Sequence, residues 1–175
     1  WGGGTATFMI LGGSCTRNCR FCAVPTSRSG DPVNPDEPWQ LAEAVSELGL
    51  RFAVLTSVDR DELPDRGAGH FAACVRAIKS RNPGVGVEVL CPDFREGEIE
   101  IVLDSGVEVF AHNVETVPRL QRIRDVRASW AASLRTLSLA ADDGRALVKT
   151  SLLLGLGERE EIGRASCRER VCYVV

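Results

Sequence analysis

The sequence predicts an α/β protein whose parallel strands alternate with helices to form a barrel or a partial barrel. Five apolar segments of strand length are separated by stretches in which apolar residues recur every three or four positions. This alternation is typical of a parallel sheet with right-handed crossovers. No strand-to-helix turn carries the glycine fingerprint of a dinucleotide-binding sheet, so the sequence favours a barrel over a Rossmann arrangement.

The elements follow one another without a low-complexity linker, which indicates one domain. Residues 5–11 are predicted to form a buried strand that ends at Gly12-Gly13. Asp36-Glu-Pro-Trp supplies an N-cap and a first turn for a helix running to about Leu48, and Gly49 ends it. The remaining predicted elements are a strand at 52–55, a helix at 69–81, a strand at 85–90, a helix at 97–105, a strand at 107–111, a helix at 129–141 and a strand at 146–154.

The composition excludes several classes of protein. A chain of 175 residues that is 44% hydrophobic with a net charge of −3 is expected to fold, and it offers no general attraction to nucleic acid or an anionic membrane. No apolar run approaches the roughly 20 residues that a membrane helix needs, and no signal peptide is visible. The seven cysteines are odd in number and unevenly spaced, so they fit disulfides poorly. We therefore predict a reduced, cytoplasmic protein that uses thiolates as ligands.

The most specific pattern is Cys15-Thr-Arg-Asn-Cys19-Arg-Phe-Cys22. Its short spacers let one loop present three sulfurs to a compact cluster, and we expect Arg17 and Arg20 to offset the thiolate charge. Three ligands without a fourth nearby would leave one iron of a 4Fe-4S cluster open to a cofactor or substrate. The alternative is structural zinc, which requires four closed ligands.

Polar loops follow the carboxyl ends of all the predicted strands, which is where parallel α/β barrels build their active sites. The cysteine loop follows the first strand. The later loops contain Thr56-Ser-Val-Asp-Arg-Asp-Glu, Cys91-Pro-Asp, His112-Asn-Val-Glu and Gly155-Leu-Gly-Glu. We therefore expect their polar and metal-binding groups to converge on one rim of the sheet.

These residues together resemble a known family. The C-x3-C-x2-C loop after the first strand of an α/β barrel resembles the radical S-adenosylmethionine enzymes, and the finer match resembles the lipoyl synthases. The similarity runs from Trp1 to about Glu160, with residues 56–63 and 112–119 as its most specific parts. The other segments that carry it are residues 1–11, 67–71, 92–95 and 155–158.

The resemblance implies a partial (βα)6-type TIM-like barrel, truncated after the fifth strand, over residues 1–160. It implies that Cys15, Cys19 and Cys22 hold a 4Fe-4S cluster whose open iron binds S-adenosylmethionine. No side chain is then expected to act as a catalyst itself, because the radical arises at the cluster-bound cofactor. The implied reaction inserts sulfur at C6 and C8 of an octanoyl group that is bound through lysine to a carrier protein.

The resemblance also implies which rim residues contact S-adenosylmethionine. We expect a group of nine to do so: Thr56, Ser57, Asp59, Asn113, Glu115, Lys149, Ser151, Gly155 and Gly157. Each has a plainer alternative. The loop around Asp59 could form a solvated ion pair with Arg60, Asn113 could cap a strand, and the Gly155–Gly157 turn could only begin a helix.

Three departures from the family pattern bear on these expectations. The family shows Lys-Ser-Gly where this chain has Lys149-Thr150-Ser151, which adds a side chain at a position of close approach. An auxiliary cluster motif that supplies sulfur is expected only upstream of Trp1, in a longer protein of which this chain is a central fragment. Residues 161–175 resemble a translated sequencing adapter, so we expect a non-native tail, and we do not assign Cys167 and Cys172 to a cluster.

The implied partners are octanoylated lipoyl carrier domains and an electron donor such as flavodoxin or ferredoxin, with no nucleic acid and no membrane. In a eukaryote the compartment would be the mitochondrion or plastid. Two alternatives stay open on the sequence. One is another sulfur-inserting radical enzyme similar to biotin synthase, and the other is a non-catalytic iron–sulfur or zinc-binding fragment.

Overall fold

The computed structural model describes residues 4–159 and confirms the α/β class. Its five strands form one parallel sheet in the order β1-β2-β3-β4-β5, and the sheet is not closed. The strands are β1 Thr5–Ile10, β2 Phe52–Ser57, β3 Gly86–Leu90, β4 Val109–Ala111 and β5 Leu147–Lys149. The helices are α1 Glu37–Glu47, α2 Ala68–Arg81, α3 Glu96–Leu103 and α4 Trp130–Asp143, with a 3-10 helix at Pro118–Ile123. The tail at 161–175, with Cys167 and Cys172, lies outside the described residues.

One face of the sheet packs against the helices and forms the core. Side chains alternate across a strand, and the strand register aligns Phe8, Leu55, Val89 and Phe110 in one row on this face. Leu55, Val89 and Phe110 are fully buried in the core cluster. The core also contains Cys74, which confirms the prediction that this cysteine acts as a small apolar residue.

The opposite face of the sheet is the concave side of the partial barrel. Near the carboxyl ends of the strands the register aligns Met9, Thr56, Leu90, Ala111 and Lys149 in one row across all five strands. The loops that follow these ends therefore meet above the same row, as the sequence predicts.

The ends of several elements differ from the sequence prediction. β2 extends through Ser57, so Thr56 and Ser57 belong to the strand and not to the loop. β5 has three residues where nine were predicted, because β4, which it pairs with, is itself only three residues long. Asp36 makes no side-chain cap at α1, whereas the Ser129 hydroxyl does accept the Ala132 N–H at α4. The 3-10 helix was not predicted.

Within residues 4–159, no helix is both long enough and apolar enough to cross a membrane.

Candidate functional site

The three cysteines of the triplet line one cavity of about 350 Å³ at the carboxyl ends of the strands. Cys15, Cys19 and Cys22 are free thiols. Five of the nine expected cofactor contacts line the same cavity, namely Thr56, Ser57, Asp59, Asn113 and Glu115. The structure therefore brings the predicted ligands and most of the predicted polar contacts to one place.

Backbone hydrogen bonds fix the shape of the cysteine loop. Cys15 forms a short parallel bridge, in which its N–H donates to the Pro25 carbonyl and its carbonyl accepts the Ser27 N–H, both at 2.9 Å. Further along the loop the Arg20 N–H donates to the carbonyl of Ile123 at 2.8 Å. The loop is thus attached at its base to its own return segment and at its tip to the end of the 3-10 helix.

Two of the sulfurs accept hydrogen bonds from the backbone. The Cys15 sulfur faces the N–H groups of Arg17 and Asp59 at 3.4 and 3.3 Å, and the Cys19 sulfur faces that of Asp125 at 3.3 Å. Burial raises the pKa of both thiols even though these N–H groups oppose the rise. A bound metal cluster would hold the sulfurs as thiolates, and N–H donors of this kind stabilise and tune such ligands.

Arg17, which was expected to offset thiolate charge, is occupied by carboxylates. It is almost completely buried and lies 2.8 Å from Asp61, 2.6 Å from Asp93 and 3.4 Å from Asp59. The guanidinium therefore connects the cysteine loop to the loops after β2 and β3. Arg20 is exposed.

Arg60 does not form the solvated ion pair that was the plain alternative for this loop. It is 3% exposed, and it donates to the carbonyls of Leu11 and Asp31 at 2.6 and 2.7 Å. Its remaining partner is Glu62 at 2.6 Å. Arg60 therefore anchors both ends of the segment that contains the cysteines.

Asp93 is the centre of a buried polar network that the sequence analysis did not identify. Besides Arg17, its carboxylate accepts from the Ser133 hydroxyl at 3.0 Å and faces His112 Nε2 at 3.0 Å and Arg124 at 3.4 Å. Burial alone would raise the pKa of Asp93, but hydrogen bonds and charges from His112 and Arg17 hold it well below its usual range. The motif Pro92-Asp-Phe-Arg contained the residue, but no local pattern indicates such distant partners.

His112 lines the cavity but is not free to be a fourth metal ligand. Its Nδ1 lies 2.8 Å from the Cys91 carbonyl, while Nε2 faces Ser133 at 2.9 Å as well as Asp93. Both ring nitrogens are therefore engaged, which argues against a closed zinc site of three cysteines and this histidine. Cys91 is buried beside it, and its thiol donates to the Ala111 carbonyl at 3.4 Å.

Asn113 and Glu115 follow the end of β4, and Glu115 has an unusual backbone conformation. Glu115 has a φ of +65°, in the left-handed region that residues with side chains rarely adopt. Its carboxyl is hydrogen-bonded to Asn113, and burial raises its pKa. The side-chain amide oxygen Oδ1 of Asn113 accepts a hydrogen bond from the Ser151 hydroxyl. Ser151 therefore supports this pair and does not itself line the cavity.

The residues around the cavity fit a metal cluster with a polar cofactor. Three free thiols from one loop are accompanied by backbone N–H donors to two of their sulfurs. In addition, the Ser57 hydroxyl is buried and has no hydrogen-bond partner among residues 4–159, although the residue lines the cavity. A buried hydroxyl without a partner is costly, and a polar ligand in the cavity would satisfy it.

Three of the expected cofactor contacts lie elsewhere. Lys149 reaches both carboxylate oxygens of Glu88 on the concave face, at 2.9 and 3.2 Å. Gly155 and Gly157 have φ values of +94° and +98°, and an added Cβ would meet nothing within 4 Å at either position. Their turn is held by the Glu158 carboxylate, which accepts the Leu156 N–H at 2.7 Å. None of the three lines the cavity.

A comparison with protein-family models decides the family of this site. The model described as the radical SAM superfamily matches residues 9–165, which include all three cysteines. The chain belongs to the radical SAM superfamily. Enzymes of this superfamily use a 4Fe-4S cluster and S-adenosylmethionine, in agreement with the fit of the cavity.

The curated relatives and the solved structures agree with this assignment. Lipoyl synthase from Halorhodospira halophila is 54% identical over 91% of this chain and 49% of its own length. The mitochondrial lipoyl synthase of Bos taurus is 52% identical over 92% of this chain and 46% of its own length. The chain therefore spans about half the length of these relatives.

Solved structures of low identity support the fold alone. The structure of methylornithine synthase matches with a TM-score of 0.78 at 17% identity. The match covers 97% of this chain and 51% of the methylornithine synthase chain. The hydrogenase maturase HydG from Carboxydothermus hydrogenoformans has a TM-score of 0.74 at 18% identity, covering 88% of this chain and 37% of its own.

Proposed function

We propose that this chain carries the radical SAM core of a lipoyl synthase. The reaction would replace hydrogen by sulfur at C6 and C8 of an octanoyl group linked through lysine to a carrier domain. The identity of 52–55% to lipoyl synthases of different organisms, over 90–92% of this chain, supports the proposal. The relatives reported above are named lipoyl synthase, which favours this function over that of an enzyme similar to biotin synthase.

The observation that carries the proposal is the set of three free thiols lining a cavity together with polar side chains. Cys15, Cys19 and Cys22 would hold the cluster and leave one iron without a protein ligand. When bound, the cluster and S-adenosylmethionine supply the radical chemistry that an unactivated C–H bond requires, because no acid or base can ionise such a bond at neutral pH.

The polar side chains of the cavity would bind and orient S-adenosylmethionine. We assign direct contacts to Thr56, Ser57 and Asp59 at the end of β2, and to Asn113 and Glu115 after β4. Ser57 supports this assignment because its buried hydroxyl needs a partner. Ser151 would act through its hydrogen bond to Asn113, whereas Lys149 would have to leave Glu88 to reach the cofactor.

The open backbone at Gly155 and Gly157 has a different proposed role. Nothing lies within 4 Å of the position that a side chain would take at either glycine, so adenine could approach the main chain there.

The proposal also includes octanoylated lipoyl carrier domains and a flavodoxin or ferredoxin as partners. An auxiliary cluster would supply the sulfur in the longer protein. A mitochondrial compartment in a eukaryote is supported by the bovine relative's name.

Anaerobic reconstitution with iron and sulfide tests the metal centre. We expect the wild-type chain to develop the charge-transfer absorption of an iron–sulfur cluster and, after reduction by dithionite, to cleave S-adenosylmethionine. Cys19→Ser should lose the cluster, whereas Cys74→Ala should keep it because that thiol lies in the core and not in the cavity. Equal iron and sulfide in wild type and Cys19→Ser would contradict the proposal.

The substrate class is tested with the longer enzyme that includes the auxiliary cluster motif. We expect conversion of an octanoylated carrier domain to its lipoylated form, detected by mass spectrometry of the modified lysine. Sulfur insertion into dethiobiotin with no change of the carrier would identify a relative of biotin synthase instead.

A further inference from the structure

A second cavity, rich in arginine, lies behind the cysteine loop. It has a volume of about 460 Å³ and is formed mainly by α4, the loop after β3 and the start of α3, with Arg66 from the loop after β2. Five arginines line it: Arg17, Arg66, Arg95, Arg127 and Arg135. Two acidic residues, Asp93 and Glu96, line it as well. We call this cavity the arginine cleft.

The outer part of the arginine cleft carries more positive than negative charge, because two arginines there form no ion pair within residues 4–159 and Glu96 is the exposed acid that lines it. Arg17 is buried among carboxylates, Arg66 pairs with Glu98, and Arg127 pairs with Asp125. Arg95 and Arg135 are exposed, and neither forms an ion pair within the described part of the chain. Such a concentration of arginine stands out in a chain whose net charge is −3.

The cleft and the cysteine cavity share one wall. Arg17 and Asp93 line both cavities, and their side chains meet at 2.6 Å. From the cleft side, the Arg127 guanidinium also donates to the carbonyl of Thr16, the residue next to Cys15. The arginine cleft therefore approaches the cysteine loop from the side opposite the cavity.

This wall restricts what a partner in the cleft can deliver. Arg17 and Asp93 are 5% and 6% exposed, so the wall is closed to an acyl chain such as the octanoyl group. An electron, in contrast, can pass through a layer of two side chains. The arginine cleft therefore suits a donor of electrons better than the protein that carries the octanoyl substrate.

We propose that an acidic one-electron redox protein docks in the arginine cleft and reduces the cluster through the wall formed by Arg17 and Asp93. The inference rests on the proposed function, because it requires a cluster at the three cysteines. The docked protein is oxidised by one electron, and the cluster accepts that electron. Carboxylates of the partner would pair with Arg95 and Arg135, a charge arrangement that speeds association and weakens with salt.

Stopped-flow reduction of the reconstituted chain by an acidic flavodoxin that has been reduced beforehand and freed of its reductant, and separately by a reduced acidic ferredoxin, tests the proposal. Arg135→Glu is compared with Arg76→Glu, because both arginines are exposed on helices and only Arg135 lines the cleft. We expect Arg135→Glu to lower the second-order rate constant on the order of tenfold at low salt, and the double variant with Arg95→Glu to lower it further. Reduction of the same samples by dithionite should be unchanged.

Binding of oxidised flavodoxin to the chain without a cluster gives a second measurement that needs no turnover. We expect weaker association for Arg135→Glu than for Arg76→Glu, with the difference shrinking as salt is raised. Equal losses of affinity in Arg135→Glu and Arg76→Glu would overturn the inference. It would also be overturned if the reduced flavodoxin and ferredoxin failed to reduce a cluster that dithionite does reduce. Failure of the wild-type chain to assemble any cluster would instead contradict the proposed function.

If the two substitutions leave reduction unchanged but weaken binding of the octanoylated carrier, the cleft is a carrier site and the inference is wrong.

Discussion

Asp93 shows how much of the site depends on one residue. Its carboxylate contacts Arg17 of the cysteine loop, His112 after β4, Arg124 after the 3-10 helix and Ser133 of α4. These four groups come from distant parts of the chain, and all of them are buried. The position of the cysteine loop relative to β4 and α4 therefore depends on a charge at the centre of the network.

The first prediction concerns Asp93→Asn. The substitution keeps the shape of the side chain but leaves the buried Arg124 and His112 without their carboxylate. We expect the free energy of unfolding in urea to fall by about 3 kcal/mol. Asp104→Asn is the control, since Asp104 pairs with Arg145 at the exposed surface and should barely change the stability.

The difference in unfolding free energy between wild type and Asp93→Asn should also depend on pH in a defined way. The pKa of Asp93 is lower in the folded protein than its ordinary value near 3.9, so its stabilising effect is complete above that value and is lost as the pH falls below it. The difference in unfolding free energy between wild type and Asp93→Asn should therefore narrow as the pH falls below about 4. A gap that widens toward acid would contradict the assignment of the charge.

At the scale of elements, the exit from β1 is held from both sides. Leu11 has a φ of +66° and is 1% exposed, so its backbone is strained and shielded from water. Its N–H donates to the Glu37 carboxylate of α1 at 3.0 Å, and its carbonyl accepts from Arg60. The same Glu37 oxygen lies 2.6 Å from His70 of α2. Two helices thus fix the direction in which the chain enters the cysteine loop.

The second prediction tests this connection with Glu37→Ala. Loss of the carboxylate leaves the buried Leu11 N–H without an acceptor, which should cost about 1–3 kcal/mol of unfolding free energy. We also expect a lower iron content after reconstitution, because the loop would start in a less defined direction. Glu47→Ala, at an exposed position of the same helix, should change stability by less than about 0.5 kcal/mol. Unchanged stability and iron content in Glu37→Ala would refute the role.

Cys74 lies beside Glu37 and His70, and its burial there is explained without a metal ion. Ligand atoms of Glu37, His70 and Cys74 lie within 4.8 Å of one another. Burial, with a smaller effect of the Glu37 charge, raises the pKa of the Cys74 thiol to about 12. The thiol is therefore protonated at neutral pH and packs as an apolar group in the core.

The sequence predicted the elements whose signal is local. Apolar periodicity located the five strands and four α-helices that the structure describes within residues 4–159, and the spacing of Cys15, Cys19 and Cys22 predicted three thiols that line one cavity. The left-handed conformations of Leu11 and Glu115 gave no such signal. Leu11 is held by Glu37 of α1, and the Glu115 carbonyl accepts the N–H of Leu153, in the segment that follows β5. The length of β5 was overestimated for a similar reason, since a strand extends only as far as its neighbour pairs with it.

The contacts of the segment at 123–127 could not be predicted at all. Ile123, Asp125 and Arg127 bind the cysteine loop more than a hundred residues away through backbone and side-chain groups. No periodicity or motif in the sequence connects the two segments. Their contact arises only once the parallel sheet has placed the loops after β1 and β4 at the same edge.

At the scale of the molecule, the cysteine loop links the β1 edge of the open sheet to the segment after β4. β1 and the segment after β4 are three strands apart, and the loop contacts that segment through Arg20, Asn18 and Cys19. A cluster bound to three sulfurs of this loop would reduce its freedom and so tighten the link across the sheet. Ligand binding to the folded state alone must also raise the stability of the whole domain.

The third prediction follows from this coupling. Loading the chain with iron and sulfide should raise its thermal unfolding midpoint, because the unfolded chain has no preformed site for the cluster. Hydrogen exchange should slow in residues 15–27 and also in residues 123–127, since the two segments are bonded to each other. Exchange at residues 75–81, in the C-terminal half of α2, shows the slowing that stabilisation of the whole domain causes by itself and serves as the internal reference. Removing the iron with a chelator should return both segments and the midpoint to their initial values, and protection confined to residues 15–27 would show that the loop does not carry the coupling across the sheet.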